Sequence, residues 1–126
     1  MDASVNVQAF AIEHGVDHKT AMYMGLFVEE IGRNIIQYGF SEKAKNAAAL
    51  LLKIQKDQII LRIRDNCKAF DPQKQAELHS EEDRSSHIGI RMVRTMSDDF
   101  IYTNTLNMNN LLITLRRKEN ELLCND

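Results

Sequence analysis

The sequence predicts an α+β fold, a two-layer α/β sandwich in which helices cover one face of a mixed, mostly antiparallel sheet. Three observations support this prediction. Two helical stretches open the chain, two pairs of β-like segments are each joined by a short turn, and a short helical stretch lies between the pairs. The 126 residues are enough for one domain with one hydrophobic core.

Helix caps and apolar spacing predict the first two helices. Ser4 is the candidate N-cap of a first helix, and Gly15 suits its end. Asp17 is the candidate N-cap of a longer helix that runs to about Tyr38, with Gly39 after its end. Apolar residues recur in this helix at steps of three and four and include Met24, Phe27, Val28, Ile31 and Ile35.

Two pairs of residues near these helices have competing explanations. Gly25 and Gly32 lie inside the long helix, where each costs about 1 kcal/mol relative to alanine, and close packing of a neighbour is the favoured reason. His14 and His18 are four residues apart. Because Gly15 lies between them, two solvated histidines are favoured over a metal site.

The first pair of strands is predicted from segments 47–54 and 58–64, with a turn at Lys56-Asp57. In the second segment, apolar residues alternate with Arg62 and Arg64, which predicts one buried and one solvated face. Asp65 then ends this strand.

The second half of the chain begins with a polar loop. Residues 72–86 have no clean periodicity and predict a mobile loop with room for one helical turn. A short helix from Gly89 to Met96 follows, and strands over 100–105 and 111–116 flank a turn at 106–110. We expect one domain over residues 1–118 and a flexible tail over residues 119–126.

The composition excludes several classes of protein. Sixteen basic and eighteen acidic residues give a net charge of -2, so no strong positive field attracts nucleic acid or an anionic membrane. The longest apolar run, 47–52, is far shorter than the ~18 residues of a membrane span. Two cysteines without CxxC spacing are typical of a reducing compartment. We therefore expect a cytoplasmic protein that neither binds nucleic acid directly nor inserts into a membrane.

Glu30 and Asn34 form the first candidate site, because they lie one turn apart at the edge of the apolar stripe of the long helix. Polar groups beside a core are costly unless they have partners. One interpretation is that both reach water or a neighbouring backbone group. The other is that the Asn34 oxygen binds Mg²⁺ while the Glu30 carboxylate acts as a base.

Two further segments carry polar groups where an element ends or begins. Asp65 either closes a turn or accepts a hydrogen bond from an exocyclic amino group, such as that of adenine. Phe70 and Pro72 either form an apolar slot beside it or belong to the core. Gly89 follows small polar residues at a helix start, where exposed N–H groups bind phosphate well.

Taken in order, these segments resemble the GHKL nucleotide-binding superfamily with its Bergerat ATP-binding fold, and most closely the anti-sigma-factor serine/threonine kinases. EEIGRN resembles the N-box of that family, with Glu, three residues and Asn. RDNCKAFDP resembles the next box, which is normally Asp-x-Gly followed by Phe-Asp-Pro. Residues 87–117 resemble the last glycine box, its helix and the closing hairpin. The likeness covers about Val5 to Arg117.

The resemblance implies a role for each matched residue. Glu30 would be the catalytic base and Asn34 the Mg²⁺ ligand. Asp65 would hold the adenine amino group, with Thr114 supporting it through a water. Residues 73–86 would be the lid over the triphosphate. The other residues implied at the ATP or ADP site are Phe70, Ile88, Gly89 and Ile90.

The same resemblance implies an ATP- and Mg²⁺-dependent kinase that transfers the γ-phosphate to a serine or threonine of a small antagonist protein. It would also hold a sigma factor or an anti-anti-sigma-like protein, and homodimer formation stays open. A sensor histidine kinase ranks third, since the sequence contains no phosphoacceptor helix before the domain.

Three departures from the family pattern support an alternative interpretation. Cys67 and His87 replace glycines of the pattern, and residues 107–110 stand where another glycine is usual. A side chain at such positions obstructs close approach of the backbone to a ligand. The alternative is a catalytically weak or inactive regulatory or docking module of the same fold. The early start of the first helix suggests excision from a longer, membrane-bound or soluble protein.

Overall fold

The computed structural model describes residues 2–36, 47–69 and 88–117, which form three helices and four strands. In chain order the elements are α1 (Ala3–Glu13), α2 (His18–Asn34), β1 (Ala48–Ile54), β2 (Gln58–Asp65), α3 (Ile88–Met96), β3 (Asp99–Thr105) and β4 (Met108–Arg116). The strands form one antiparallel sheet in the order β1-β2-β4-β3. The predicted α+β class, with strands paired as hairpins, is therefore confirmed.

The core lies between the helices and the inner face of the two central strands. In β2, buried side chains alternate with the exposed Arg62 and Arg64, as predicted. The alternation continues to Asp65, so this carboxylate lies on the same buried face as the core. The residues that form the centre of the core are Met24, Phe27, Ile31, Ile59, Leu61, Ile63, Ile90, Val93, Leu111 and Ile113.

The start of α1 differs from the prediction. Asp2 is the N-cap, since one of its carboxylate oxygens accepts a hydrogen bond from Ser4 N at 2.9 Å. The prediction that Ser4 caps the helix is wrong, because the earlier start places Ser4 inside α1 and buries it. Asp17 caps α2 as predicted, through Thr20 N at 3.1 Å. Gly15, with φ 85°, follows the end of α1 in the left-handed conformation that glycine adopts readily.

Gly25 and Gly32 have different surroundings within α2. A Cβ atom on Gly25 would lie 2.6 Å from Gln8 Cγ, so close packing of α1 explains this glycine. No atom of the described residues lies within 4 Å of a Cβ on Gly32. Contacts among the described residues therefore do not explain Gly32, which costs helix stability relative to alanine.

We expect Gly32→Ala to raise the free energy of unfolding by about 1 kcal/mol, because alanine favours the helix and meets open space. Gly25→Ala is the matched control and should gain less, because Gln8 must move to admit the methyl group. Urea unfolding followed by circular dichroism measures both. A destabilised Gly32→Ala protein, or equal gains in the two variants, would contradict this difference.

The last hairpin is tighter than predicted. Leu106 and Asn107 alone connect β3 to β4, and both have positive φ, 53° and 61°, as in a two-residue type I′ turn. The prediction of a turn over 106–110 is wrong, because leucine rarely adopts this conformation and gave no signal for it. As a result, Asn109 belongs to β4 and lies on the same face as Leu111.

Several predicted features lie outside the described residues. They are the helix end at Tyr38 and Gly39, the loop over 72–86, His87 and the tail over 119–126. Among the helices of the described ranges, none combines the length and the apolar character that a bilayer span requires.

Candidate functional site

A cavity lies between the last turn of α2 and the neighbouring ends of β2 and β4. Its volume is about 30 Å³, and the space around it, including the part open to solvent, amounts to about 400 Å³. Apolar side chains form most of its wall and a few polar groups converge in it, which is typical of sites for small molecules. The residues that line it are Ile31, Asn34, Ile35, Ile63, Asp65, Cys67, Lys68, Tyr102, Asn109 and Leu111.

Asp65 is buried in this cavity, with 5% of its surface exposed. Its Oδ1 accepts hydrogen bonds from Cys67 N at 3.0 Å and from Asn109 Nδ2 at 2.7 Å. The bond to Cys67 N closes a local turn, so the turn interpretation of Asp65 is correct, and the same side chain also lines the cavity. Because the described donors reach Oδ1, Oδ2 is the atom through which Asp65 can accept a hydrogen bond from a ligand.

Asn34 reaches the cavity from the last turn of α2. Its Nδ2 donates to the backbone oxygen of Glu30 at 2.8 Å, so the amide group is anchored one turn back in its own helix. The interpretation in which Asn34 bonds a neighbouring backbone group is therefore correct for Nδ2. The other end of the amide is the oxygen Oδ1, an acceptor, and Asn34 is one of the residues that line the cavity.

Glu30 lies one turn before Asn34 and contacts the start of α3. Its Oε1 accepts from Arg33 Nη1 at 3.3 Å. A Cβ atom on Gly89 would lie 2.5 Å from Glu30 Cδ and would collide with Oε2, so the space beside Gly89 is filled by this carboxylate. Two of the predicted site residues, distant in sequence, therefore touch each other at a helix N-terminus.

The predicted support of Asp65 by Thr114 is wrong. In the register of β2 and β4, Asp65 is opposite Asn109, whereas Thr114 is opposite Ile60. Thr114 is therefore five residues away along β4, a separation of ~17 Å at the usual rise of a strand. Alternation along β4 also places Thr114 on the other face of the sheet.

The remaining predicted binding residues lie at the start of α3 or outside the described residues. Ile88 begins α3. The side chain of Ile90 is fully buried in the core, so only its backbone is left to face a ligand. Phe70 and Pro72 lie outside the described residues, and their roles stay predictions.

Cys67 stands where the resembled pattern has glycine, and the structure accommodates it. Of the described residues other than glycine, only Leu106 and Asn107 have positive φ, so position 67 does not need the backbone freedom of glycine. Burial raises the pKa of the Cys67 thiol above its ordinary value, and the nearby Asp65 carboxylate adds to this effect. The thiol is therefore uncharged at neutral pH and forms an apolar part of the wall beside Asp65.

We expect Cys67 to react slowly with iodoacetamide at pH 8, because only the thiolate is nucleophilic and this thiol is both buried and raised in pKa. At a pH below the pKa of the thiol in the unfolded chain, neutral Cys67 makes its full contribution to stability. This contribution is lost as the pH rises through the higher pKa of the thiol in the folded protein. Alkylation of a Cys124→Ser protein, followed by mass spectrometry from pH 7 to 10, measures the rate. A rate equal to that of the urea-unfolded protein would contradict this prediction.

Three polar residues of the cavity carry no role predicted from the sequence: Lys68, Tyr102 and Asn109. A signal for Asn109 does exist in the sequence. Asn109 alternates with Leu111 and Ile113, which marks it as a polar residue on the buried face of a strand that starts before residue 109.

Residues 3–115 match the family of the histidine kinase-like ATPase domain. Among solved structures, the chain is similar to the histidine kinase domain from the Erythrobacter litoralis EL346 blue-light activated histidine kinase, with TM-score 0.60, 20% identity and coverage of 79% of this chain and 48% of that chain. It is also similar to a structure of the Erythrobacter litoralis EL346 blue-light activated histidine kinase, with TM-score 0.58, 18% identity and coverage of 79% and 31%. No curated protein matches the chain significantly.

These structural similarities, at 20% identity or less, concern the fold, and this chain spans less than half the length of either solved chain. The family match covers most of the sequence and supports binding of ATP. Fold and family agree with the predicted resemblance to GHKL-type ATPases. The chain belongs to the histidine kinase-like ATPase domain family.

Proposed function

We propose that this protein binds ATP with Mg²⁺ in the cavity between α2 and β2, and that it is a serine/threonine kinase of the anti-sigma-factor type. The observation that carries the proposal is that Asn34 and Asp65, far apart in sequence, line the same cavity. Its acceptor would be a small antagonist protein, and a sigma factor or an anti-anti-sigma-like protein would be its partner.

The groups around Asp65 fit a purine that carries an amino group. The hydrogen bonds that Asp65 accepts from the described residues both go to Oδ1. An exocyclic amino group would supply a donor to Oδ2. The side chains of Ile31, Ile63 and Leu111 line the same cavity and would pack against the faces of the ring. Adenine meets both requirements.

Asn34 fits a Mg²⁺ ion that arrives with phosphates. Mg²⁺ in nucleotide sites takes one or two protein oxygens and completes its coordination with phosphate oxygens and water. Among the residues that the structure describes, no three His, Cys, Asp or Glu side chains cluster into a metal cage, which suits a ligand-borne ion rather than a resident one. ATP would supply the γ-phosphoryl group, and Mg²⁺ would neutralise part of the negative charge of the phosphates.

Glu30 would accept the proton of the attacking hydroxyl group. As the bond from that oxygen to the γ-phosphorus forms, the bond to ADP breaks and the proton moves to the Glu30 carboxylate. The contact between Glu30 and Gly89 supports this role, because the start of α3 offers backbone N–H groups to phosphate oxygens.

A non-catalytic regulatory or docking module is the second candidate function, and Cys67 is the observation that favours it. The buried thiol lines the cavity next to Asp65 at the position of a family glycine, so it narrows the space for a base. In that case the fold would present a surface to a partner without turning over ATP.

Calorimetric titration with ATP and ADP, each with and without Mg²⁺, tests the proposed function. We expect both nucleotides to bind, and we expect removal of Mg²⁺ to weaken ATP binding. In the Asn34→Ala protein, which lacks the amide oxygen, ATP should bind with similar affinity whether Mg²⁺ is present or not. Absence of binding at millimolar Mg-ATP would overturn the kinase proposal and favour the docking module.

A further inference from the structure

Asn109 connects three parts of the cavity wall from the position directly opposite Asp65. Its Nδ2 lies 2.7 Å from Asp65 Oδ1 and also donates toward the backbone oxygens of Cys67 at 3.0 Å and Lys68 at 3.4 Å. The carboxylate and the turn that follows β2 are therefore held by the same amide group.

The other end of this amide is also bonded. Asn109 Oδ1 accepts from Tyr102 Oη at 2.5 Å and from Asn104 Nδ2 at 2.8 Å, both on β3. Donors on one side and acceptors on the other leave Nδ2 directed toward Asp65, because rotation of the amide would place donor against donor. The orientation of the Asn109 side chain is thus determined by its neighbours on β3.

We propose that Asn109 is a positioning residue that makes the site selective for a purine with a 6-amino group, an inference that rests on the proposed binding of ATP. Asn109 Nδ2 and Cys67 N both occupy Oδ1 of Asp65, so the carboxylate loses two hydrogen bonds if it turns. The position of Oδ2 is therefore fixed, and a donor on the ligand must approach it from one direction. A 6-oxo purine presents an oxygen there and has no hydrogen to share with it.

The experiment compares the dissociation constants of ATP and inosine triphosphate, which differ at position 6 of the base, by calorimetry. The wild-type protein is expected to prefer ATP, and Asn109→Leu should lower this preference about tenfold, the effect of one hydrogen bond to a charged group. Asn110→Leu is the matched control, because Asn110 neighbours Asn109 on β4 but lies on the other face of the sheet. Its preference should equal that of the wild type.

A second variant acts through Asn109 alone and covers the case in which Asn109→Leu does not fold. Asn104 is exposed and does not line the cavity of the described residues, yet it donates to Asn109 Oδ1. Asn104→Ala should lower the preference for ATP about two- to threefold.

The outcomes separate the two proposals. A wild-type protein that binds neither nucleotide overturns the proposed function, and this result is read from the wild type alone. A wild type that prefers ATP, together with an unchanged preference in folded Asn109→Leu and Asn104→Ala proteins, overturns the positioning role and leaves ATP binding in place. A residue with a merely structural role would lower the melting temperature without changing the ratio of the two constants.

Discussion

Replacing Asp65 with asparagine is expected to weaken ATP binding about 100-fold, the largest effect on affinity that the cavity predicts for a single change. Cys67 N and Asn109 Nδ2 both donate to Oδ1 of Asp65. In the variant these two donors would hold the amide oxygen in that place and leave the amide NH₂ group at the position of Oδ2. A donor would then face the donor of the adenine amino group.

The same change should reverse the preference for the base. Inosine triphosphate carries an oxygen in place of the amino group, so the new NH₂ group of Asp65→Asn would donate to it, and its affinity should rise relative to ATP. Asp57→Asn removes the same charge from an exposed turn and serves as the control. Calorimetry measures the dissociation constants of ATP and inosine triphosphate for Asp65→Asn and for Asp57→Asn. Unchanged ATP affinity in Asp65→Asn would show that the base does not bind at this carboxylate.

Local periodicity in the sequence predicts one side of the cavity well. The apolar spacing of α2 correctly identifies the buried positions Met24, Phe27 and Ile31, and with them the edge at which Asn34 lies. Alternation along β2 places Asp65 on the buried face at the end of its strand. Each pattern follows from the periodicity of a single helix or strand, so it can be recognised without knowing which elements pack against it.

The other side of the cavity depends on strand register, which local patterns do not determine. Whether Asn109 or Thr114 faces Asp65 depends on how β4 pairs with β2, a contact between segments far apart in sequence. The two-residue turn at Leu106 and Asn107 fixes the register of β4 with β3 and the residue at which β4 begins. Leucine at positive φ is uncommon, so the composition of this turn gave no reason to begin the strand before Asn109.

The proposed phosphate transfer depends most on Glu30, and we expect Glu30→Ala to leave ATP affinity within about twofold of wild type while lowering transfer at least ~100-fold, as for loss of a general base. Asn34 and Asp65, which line the cavity, are unchanged in this variant. The readout is γ-phosphate transfer to the antagonist protein, with ATP hydrolysis as a second measure. Transfer at the wild-type rate would remove Glu30 from the reaction.

The neighbouring Glu29 supplies a matched control for this experiment. Both carboxylates pair with Arg33, Glu29 Oε1 with Nη2 at 3.4 Å and Glu30 Oε1 with Nη1 at 3.3 Å. Glu29→Ala therefore removes the same charge and an ion pair of similar length, from a side chain that is 53% exposed where that of Glu30 is 16% exposed. An exposed pair of this kind contributes little to stability. Only Glu30 also contacts Gly89 at the start of α3. If both variants lose transfer equally, the cause is the loss of charge near Arg33, and the position of Glu30 beside α3 has no special role in proton transfer.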